Sequence, residues 1–220
     1  MSLANVFNRS RFEHLLKSLK YSFYVIVHPF DGFWDLTHER RGSVGAANVI
    51  VLLVLLTTIW EMQFTNFMFY KIQWEYVNIF MVILGFIVPL AIWCISNWSL
   101  TTLMDGKGTL KNIYMATGYA LTPYVLIRFP LIFISNWITL EEGAFYFYFK
   151  TFSIIWCGLL VLCAMMMIHD YSLTKAVFSS VLTIVGMGVI IFIILLFFSL
   201  ISDGFAYFIS LYKEIAFRFY

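Results

Sequence analysis

The segment NIYMATGYALTPYVLIRFPLIFISNWITL, Asn112 to Leu140, is apolar and long enough to cross a bilayer, since about 20 residues at 1.5 Å rise span a hydrocarbon core of roughly 30 Å. It also carries Gly118, Pro123, Pro130 and the cation Arg128, which a helix held only by lipid tolerates badly. Each proline removes an amide donor and crowds the carbonyl one turn back. The freed groups then need a partner from a neighbouring helix, a side chain or trapped water. The segment therefore reads as the central, proline-bent helix of a bundle.

Composition widens that reading to the whole chain. Of its 220 residues, 62% are hydrophobic and 12% charged, against roughly 45–50% apolar and about 25% charged for a soluble domain. An all-α integral membrane protein follows, with room for one bundle and no separate globular domain. The formal charge of +2 is not gathered on a soluble face, so no nucleic-acid partner is implied. Cys94, Cys157 and Cys163 all fall in apolar runs without C-x-x-C or histidine spacing and read as small buried hydrophobes.

Four more spans surround the central one, at about 44–64, 76–98, 145–168 and 173–201, with Pro89 inside the second. Gly186-Met187-Gly188 in the last span does not share one helix face and predicts a local bend or a close backbone approach. Before the spans, Phe12, Leu15, Leu16, Leu19, Phe23 and Ile26 recur at helical spacing over residues 10–27. Arg11, Lys17 and Lys20 fall elsewhere on the wheel. Such a basic amphipathic helix either lies in the membrane surface or packs on the protein's own spans, and on the first reading its removal leaves the bundle folded. After Asp203-Gly204, residues 206–220 read as a second surface helix. The expected division is thus an N-terminal segment, 1–27, a five-span unit, 28–205, and an amphipathic tail.

Between the first helix and the first span lies HPFDGFWDLTHERRGS, with turn chemistry at Pro29 and Asp31-Gly32 and charge at Asp35, Glu39, Arg40 and Arg41. It belongs in water or at the headgroups, and with Phe33 and Trp34 it is a candidate interaction segment. Its histidines and acids match no metal-ligand spacing, so no metal is expected. Lysine and arginine counts orient the spans: an N-terminus in the cytoplasm places Arg9, Arg11, Lys17, Lys20, Arg40, Arg41, Lys107, Lys111 and Lys175 inside. Lys71, Lys150, Lys213 and Arg218 then lie outside, as does the C-terminus.

Arg128 stands roughly 24 Å along a helix begun at Asn112, past the midplane, so it must snorkel outward or be paired. Glu61, at a similar depth, and Asp203, at the outer end of the last span, are the candidate partners. The spans hold no paired aspartates, no Ser with His and no H-E-x-x-H, which argues against an enzyme. His169-Asp170 reads as a solvated histidine in a polar turn, and no cofactor is expected.

Gly118-Tyr119-Ala120-Leu121-Thr122-Pro123 fits the G-Y-x-x-x-P string in the third span of the Yip family, five-span proteins first known as partners of Ypt/Rab GTPases. Gly32-Phe33-Trp34 echoes the end of the D-L-x-G-P-F-W string of its eukaryotic members. The chain resembles that family over residues 28 to 205. It lacks D-L-x-G-P and the long N-terminal region of eukaryotic members, so it is similar to the bacterial branch, and a Rab-type GTPase partner is not implied. The resemblance implies a plasma-membrane protein of a bacterium, or a Golgi or endoplasmic-reticulum protein in a eukaryote. The expected role is a non-enzymatic scaffold or adaptor in contact with the bilayer and with another membrane protein or itself. The alternative is a small transporter or an accessory subunit of one, using the Gly118, Pro123 and Arg128 region.

Overall fold

The computed structural model describes residues 3–39, 41–70, 75 and 77–219, with side chains described from 13 to 218 within those ranges. Arg40, Lys71 and Tyr76 lie outside the described residues, as do the side chains of Arg9, Arg11 and Phe12. The helices are α1 (Leu3–Val27), α2 (Pro29–His38), α3 (Val44–Phe64), α4 (Ile79–Leu103), α5 (Leu110–Ala120), α6 (Thr122–Ile134), α7 (Gly143–His169) and α8 (Leu173–Phe219). Among the described residues there is no strand. Five stretches are long and apolar enough to cross a membrane: α3, α4, α5 with α6, α7 and α8. The protein is an integral membrane protein with a five-span helical bundle.

Helix starts follow local chemistry. The side chains of Ser43, Asn78 and Thr109 accept hydrogen bonds from the amides of Ala46, Phe80 and Asn112 at the heads of α3, α4 and α5. Each satisfies a donor that the first turn leaves without an intrahelical partner. At the other end of α7, Asp170 takes φ 53°, a left-handed stop that turns the chain into α8.

The central span is one crossing, Leu110–Ile134, bent between α5 and α6. It breaks at Leu121, with Pro123 buried in the first turn of α6, where a missing amide costs least. It ends at Ile134, and turns rather than helix lead on to Leu140. Pro130 stays inside α6 on an exposed face.

Residues 29–38, expected as a solvated turn, form α2 and bury Gly32, Phe33 and Leu36. Pro29 presets the first turn, and Phe33 and Leu36 share one face. Helix α1 packs on the bundle through Ser18, Ser22 and Val25, with Leu15, Leu19 and Ile26 partly buried beside them, while Leu16 and Phe23 face outward. The larger core sits where α1 and α2 meet α3, α5 and α7, around Val25, Phe33, Ile50, Ile113, Tyr119 and Met165. A smaller cluster of Phe69, Leu131 and Tyr146 closes the far end.

Helix α8 runs 47 residues without interruption through Asp203-Gly204, so the separate C-terminal surface helix is not observed. One glycine inside a helix costs only about 1 kcal/mol relative to alanine, too little to end it. Its first part packs on α4: Ser96 Oγ donates to the Thr183 carbonyl at 2.8 Å. A Cβ at Gly186 would stand 2.5 Å from Ser96 Oγ, so that glycine permits the close approach, whereas Gly188 faces open space. Beyond Ile190 every described residue of α8 is exposed, and from Ile79 to Val88 of α4 no residue is fully buried, only Val82, Ile83 and Phe86 being partly so.

Candidate functional site

Arg128 on α6 and Glu61 on α3 come together in the far half of the bundle. Arg128 is 7% exposed and Glu61 5%, and the guanidinium Nη1 lies 2.9 Å from Glu61 Oε2. Lys150 of α7 reaches the other carboxylate oxygen, Nζ to Oε1 at 2.6 Å. Further groups hold the cations. Arg128 Nε donates to Ser153 Oγ at 3.2 Å and Nη1 to the Tyr124 hydroxyl at 3.2 Å, with the guanidinium carbon 4.3 Å from the Tyr124 ring centroid. Tyr146 donates to Glu61 Oε1 at 3.4 Å, and Lys150 Nζ stands 4.7 Å from the Tyr70 ring centroid. In the link after α3, burial first and the Glu61 charge second raise the Tyr70 phenol above its ordinary pKa.

The electrostatics are unequal: one carboxylate serves two cations in a low-dielectric setting where an unpaired charge is costly. The sharing ties α3, α6 and α7 to one point, as charged groups within membrane spans usually pair toward a bundle interior. Asp203 is not brought to Arg128; it stands on the exposed run of α8. Lys150, counted from sequence among the outer cations, lies in the second turn of α7 and turns its ammonium to Glu61. Its signal was a lysine within the apolar run FYFYFKTF; Ser153 and Tyr146, one turn away on either side, face the same cluster.

The G-Y-x-x-x-P residues have packing roles. A Cβ at Gly118 would meet Ala47 Cβ at 3.0 Å and Cα at 3.3 Å, so α5 and α3 touch there nearly backbone to backbone. The Tyr119 hydroxyl shares a 2.6 Å hydrogen bond with Ser18 Oγ, donates to the Ser18 carbonyl at 3.2 Å and accepts from the Ser43 amide at 3.3 Å. One buried oxygen thus latches α1 and the start of α3 to α5.

The segment at Asp31 to Arg41 divides. Gly32 and Phe33 point inward, a Cβ at Gly32 standing 2.8 Å from the Val25 Cα. Asp31 is exposed, and Trp34, also exposed, stacks on His38 at 3.7 Å. Arg41 bridges Asp35 at 3.2 Å and Glu39 at 2.6 Å. Asp35 also accepts from Tyr21 at 3.3 Å, and burial together with the Asp35 charge raises that phenol's pKa.

His169 is a correction. It is 2% exposed rather than solvated, its Nδ1 accepting from the Gly108 amide at 3.2 Å and its Nε2 3.2 Å from Asn97 Oδ1. Nδ1 as acceptor puts the proton on Nε2, which donates to Asn97. Asn97 in turn donates to Thr183 Oγ1 at 3.2 Å, so α4, α7 and α8 share one polar chain. Asp170 beside it pairs with Lys107 at 2.8 Å.

Fold and site together define a polytopic helical membrane protein whose interior charges are spent on one another. The chain belongs to the Yip1 domain family, whose model matches residues 23–211. Members of this family are generally not enzymatic. No curated protein and no solved structure matches the chain.

Proposed function

We propose that the protein is a membrane scaffold or adaptor without catalytic activity, set in the plasma membrane of a bacterium with its N-terminus in the cytoplasm, and that α8 is its docking element for another membrane protein. The observation that carries this reading is the length of α8. Its 47 residues extend about 70 Å against a hydrocarbon core of roughly 30 Å, and the part beyond Ile190 has no partner within the described chain. Exposed Phe205, Tyr207, Phe208 and Tyr212 give that part large, rigid contact groups, with Lys213, Glu214 and Arg218 after them. Aromatic anchors of this kind dominate interfaces. The segment from Asp31 to Arg41, exposed at Trp34 and charged at its rim, is the second proposed contact, on the cytoplasmic side.

A photo-crosslinking amino acid at Phe208 of the full chain in native membranes tests the assignment. A discrete adduct with one other membrane protein, weakened when the exposed Phe205 and Tyr212 are changed to alanine, is expected. Adducts with lipid alone overturn it.

The buried cluster supports a second reading, a transport-associated subunit, because two cations sharing one carboxylate could exchange partners with an anionic solute. Flux into liposomes carrying the purified protein separates the two. An anion current that Arg128→Ala abolishes favours transport; no current above empty liposomes favours the scaffold.

A further inference from the structure

Where the α4–α8 pair parts from α5 and α7, the bundle leaves a cleft of about 360 Å³ whose walls include Leu90 and Trp93 of α4, Thr117 of α5, Gly158 of α7, and Ser180 and Ile184 of α8. Three polar atoms of this lining, Trp93 Nε1, Thr117 Oγ1 and Ser180 Oγ, are buried without a hydrogen-bond partner. Thr117 is 4% exposed and Ser180 8%. Neighbouring hydroxyls on the same helices behave otherwise: Thr183 donates to the Ser179 carbonyl at 2.8 Å and Thr101 to the Asn97 carbonyl at 2.7 Å. Buried polar groups are nearly always paired, so three orphans in the wall of one cavity point to a missing partner that enters it.

The lining also states what that partner is. It contains no charged side chain, so an ionised group would sit there without a counter-charge. An indole N–H can only donate, so the occupant must bring an acceptor, while the two hydroxyls accept or donate as required. Thr117 and Ser180 stand roughly 10 Å, and Trp93 roughly 15 Å, into the spans from the end that holds α1 and α2. A ligand must therefore carry its oxygen below the headgroups, which a phosphate-bearing lipid resists. We propose that this cleft binds a neutral bilayer lipid, with hydrocarbon along Leu90 and Ile184 and an ester or hydroxyl oxygen on Trp93, Thr117 and Ser180.

Gly158 supplies a clean test, since a Cβ there meets nothing within 4 Å. Gly158→Leu fills the cavity, leaves all three polar atoms in place and raises helix propensity. The probe is a diacylglycerol carrying a diazirine on one acyl chain, irradiated with the full-length protein in phosphatidylcholine nanodiscs and mapped by mass spectrometry. Labelling is expected to saturate, to be competed by unlabelled diacylglycerol, and to concentrate around Trp93, Gly158 and Ser180. The lipid-facing residues 191–200 serve as the background.

Labelling should fall about tenfold in the Trp93→Phe, Thr117→Val, Ser180→Ala variant, the factor that losing one or two net hydrogen bonds carries. It should fall as far in Gly158→Leu, which decides the matter if the triple variant does not fold. Even labelling across the lipid-facing surface, or cleft labelling undiminished by Gly158→Leu, overturns the proposal. So does equal labelling by a diazirine fatty acid in its ionised form.

Discussion

Glu61 is the residue whose loss the bundle should tolerate least. Its carboxylate is the shared acceptor of Arg128 at 2.9 Å and Lys150 at 2.6 Å, so Glu61→Gln leaves two cations without their counter-charge. Removing one partner of a buried pair costs about 3–5 kcal/mol, and thermal unfolding of the detergent-solubilised protein should register a loss of that order. Reversing Glu61 or Arg128 alone, as E61R or R128E, should abolish most folded protein. The double reversal should recover only part of it, because Lys150 would then face a cation; recovery no better than either single change would count against the pairing. Tyr119→Phe should cost about 1–3 kcal/mol by the same measurement, since it strips the hydroxyl that joins Ser18 and Ser43 to α5. Arg128 was legible in the sequence as an intramembrane charge needing an account, and Glu61 as a partner at matching depth. Lys150 was not, because one lysine near a span end reads equally as an interfacial cation until a carboxylate from another helix is found beside it.

Among the elements, α1 is where periodicity and packing part company. Its apolar stripe favours a surface helix as readily as a packed one, yet the buried residues are Ser18, Ser22 and Val25, two of them too small and polar to register as a core face. Small side chains let helices approach closely, and their hydroxyls then find partners across the contact. Removing residues 10–27 should therefore abolish accumulation of folded protein in the membrane; normal expression of the truncated bundle would return α1 to the role of a surface helix. The same limit explains α2. Asp31-Gly32 reads as a turn, but Gly32 is needed where α2 crosses α1, since a Cβ there would stand 2.8 Å from the Val25 Cα, a requirement set by a different helix. Helix α8 is the converse case, in which Asp203-Gly204 looks like an end and nothing in the fold makes it one.

At the scale of the whole molecule, five spans put residues on either side of the central helix pair on opposite faces of the membrane. Lys107, with its side chain 74% exposed, precedes α5, and Trp137, 88% exposed, follows α6. Cysteines introduced at these two positions should react with a membrane-impermeant maleimide from opposite sides, the native thiols being buried at Cys94 and Cys157 and partly buried at Cys163. Labelling of both from one side would remove the five-span topology. The number of crossings, the all-helical class and the presence of a proline-interrupted central span follow from local quantities: run length, hydropathy and proline chemistry act along one chain and need no neighbour. The site is different. Which groups satisfy Arg128, why His169 is buried on Asn97, and where a cleft holds three orphaned polar atoms depend on helices far apart in sequence, where a rotation of one helix by a single residue would exchange every partner.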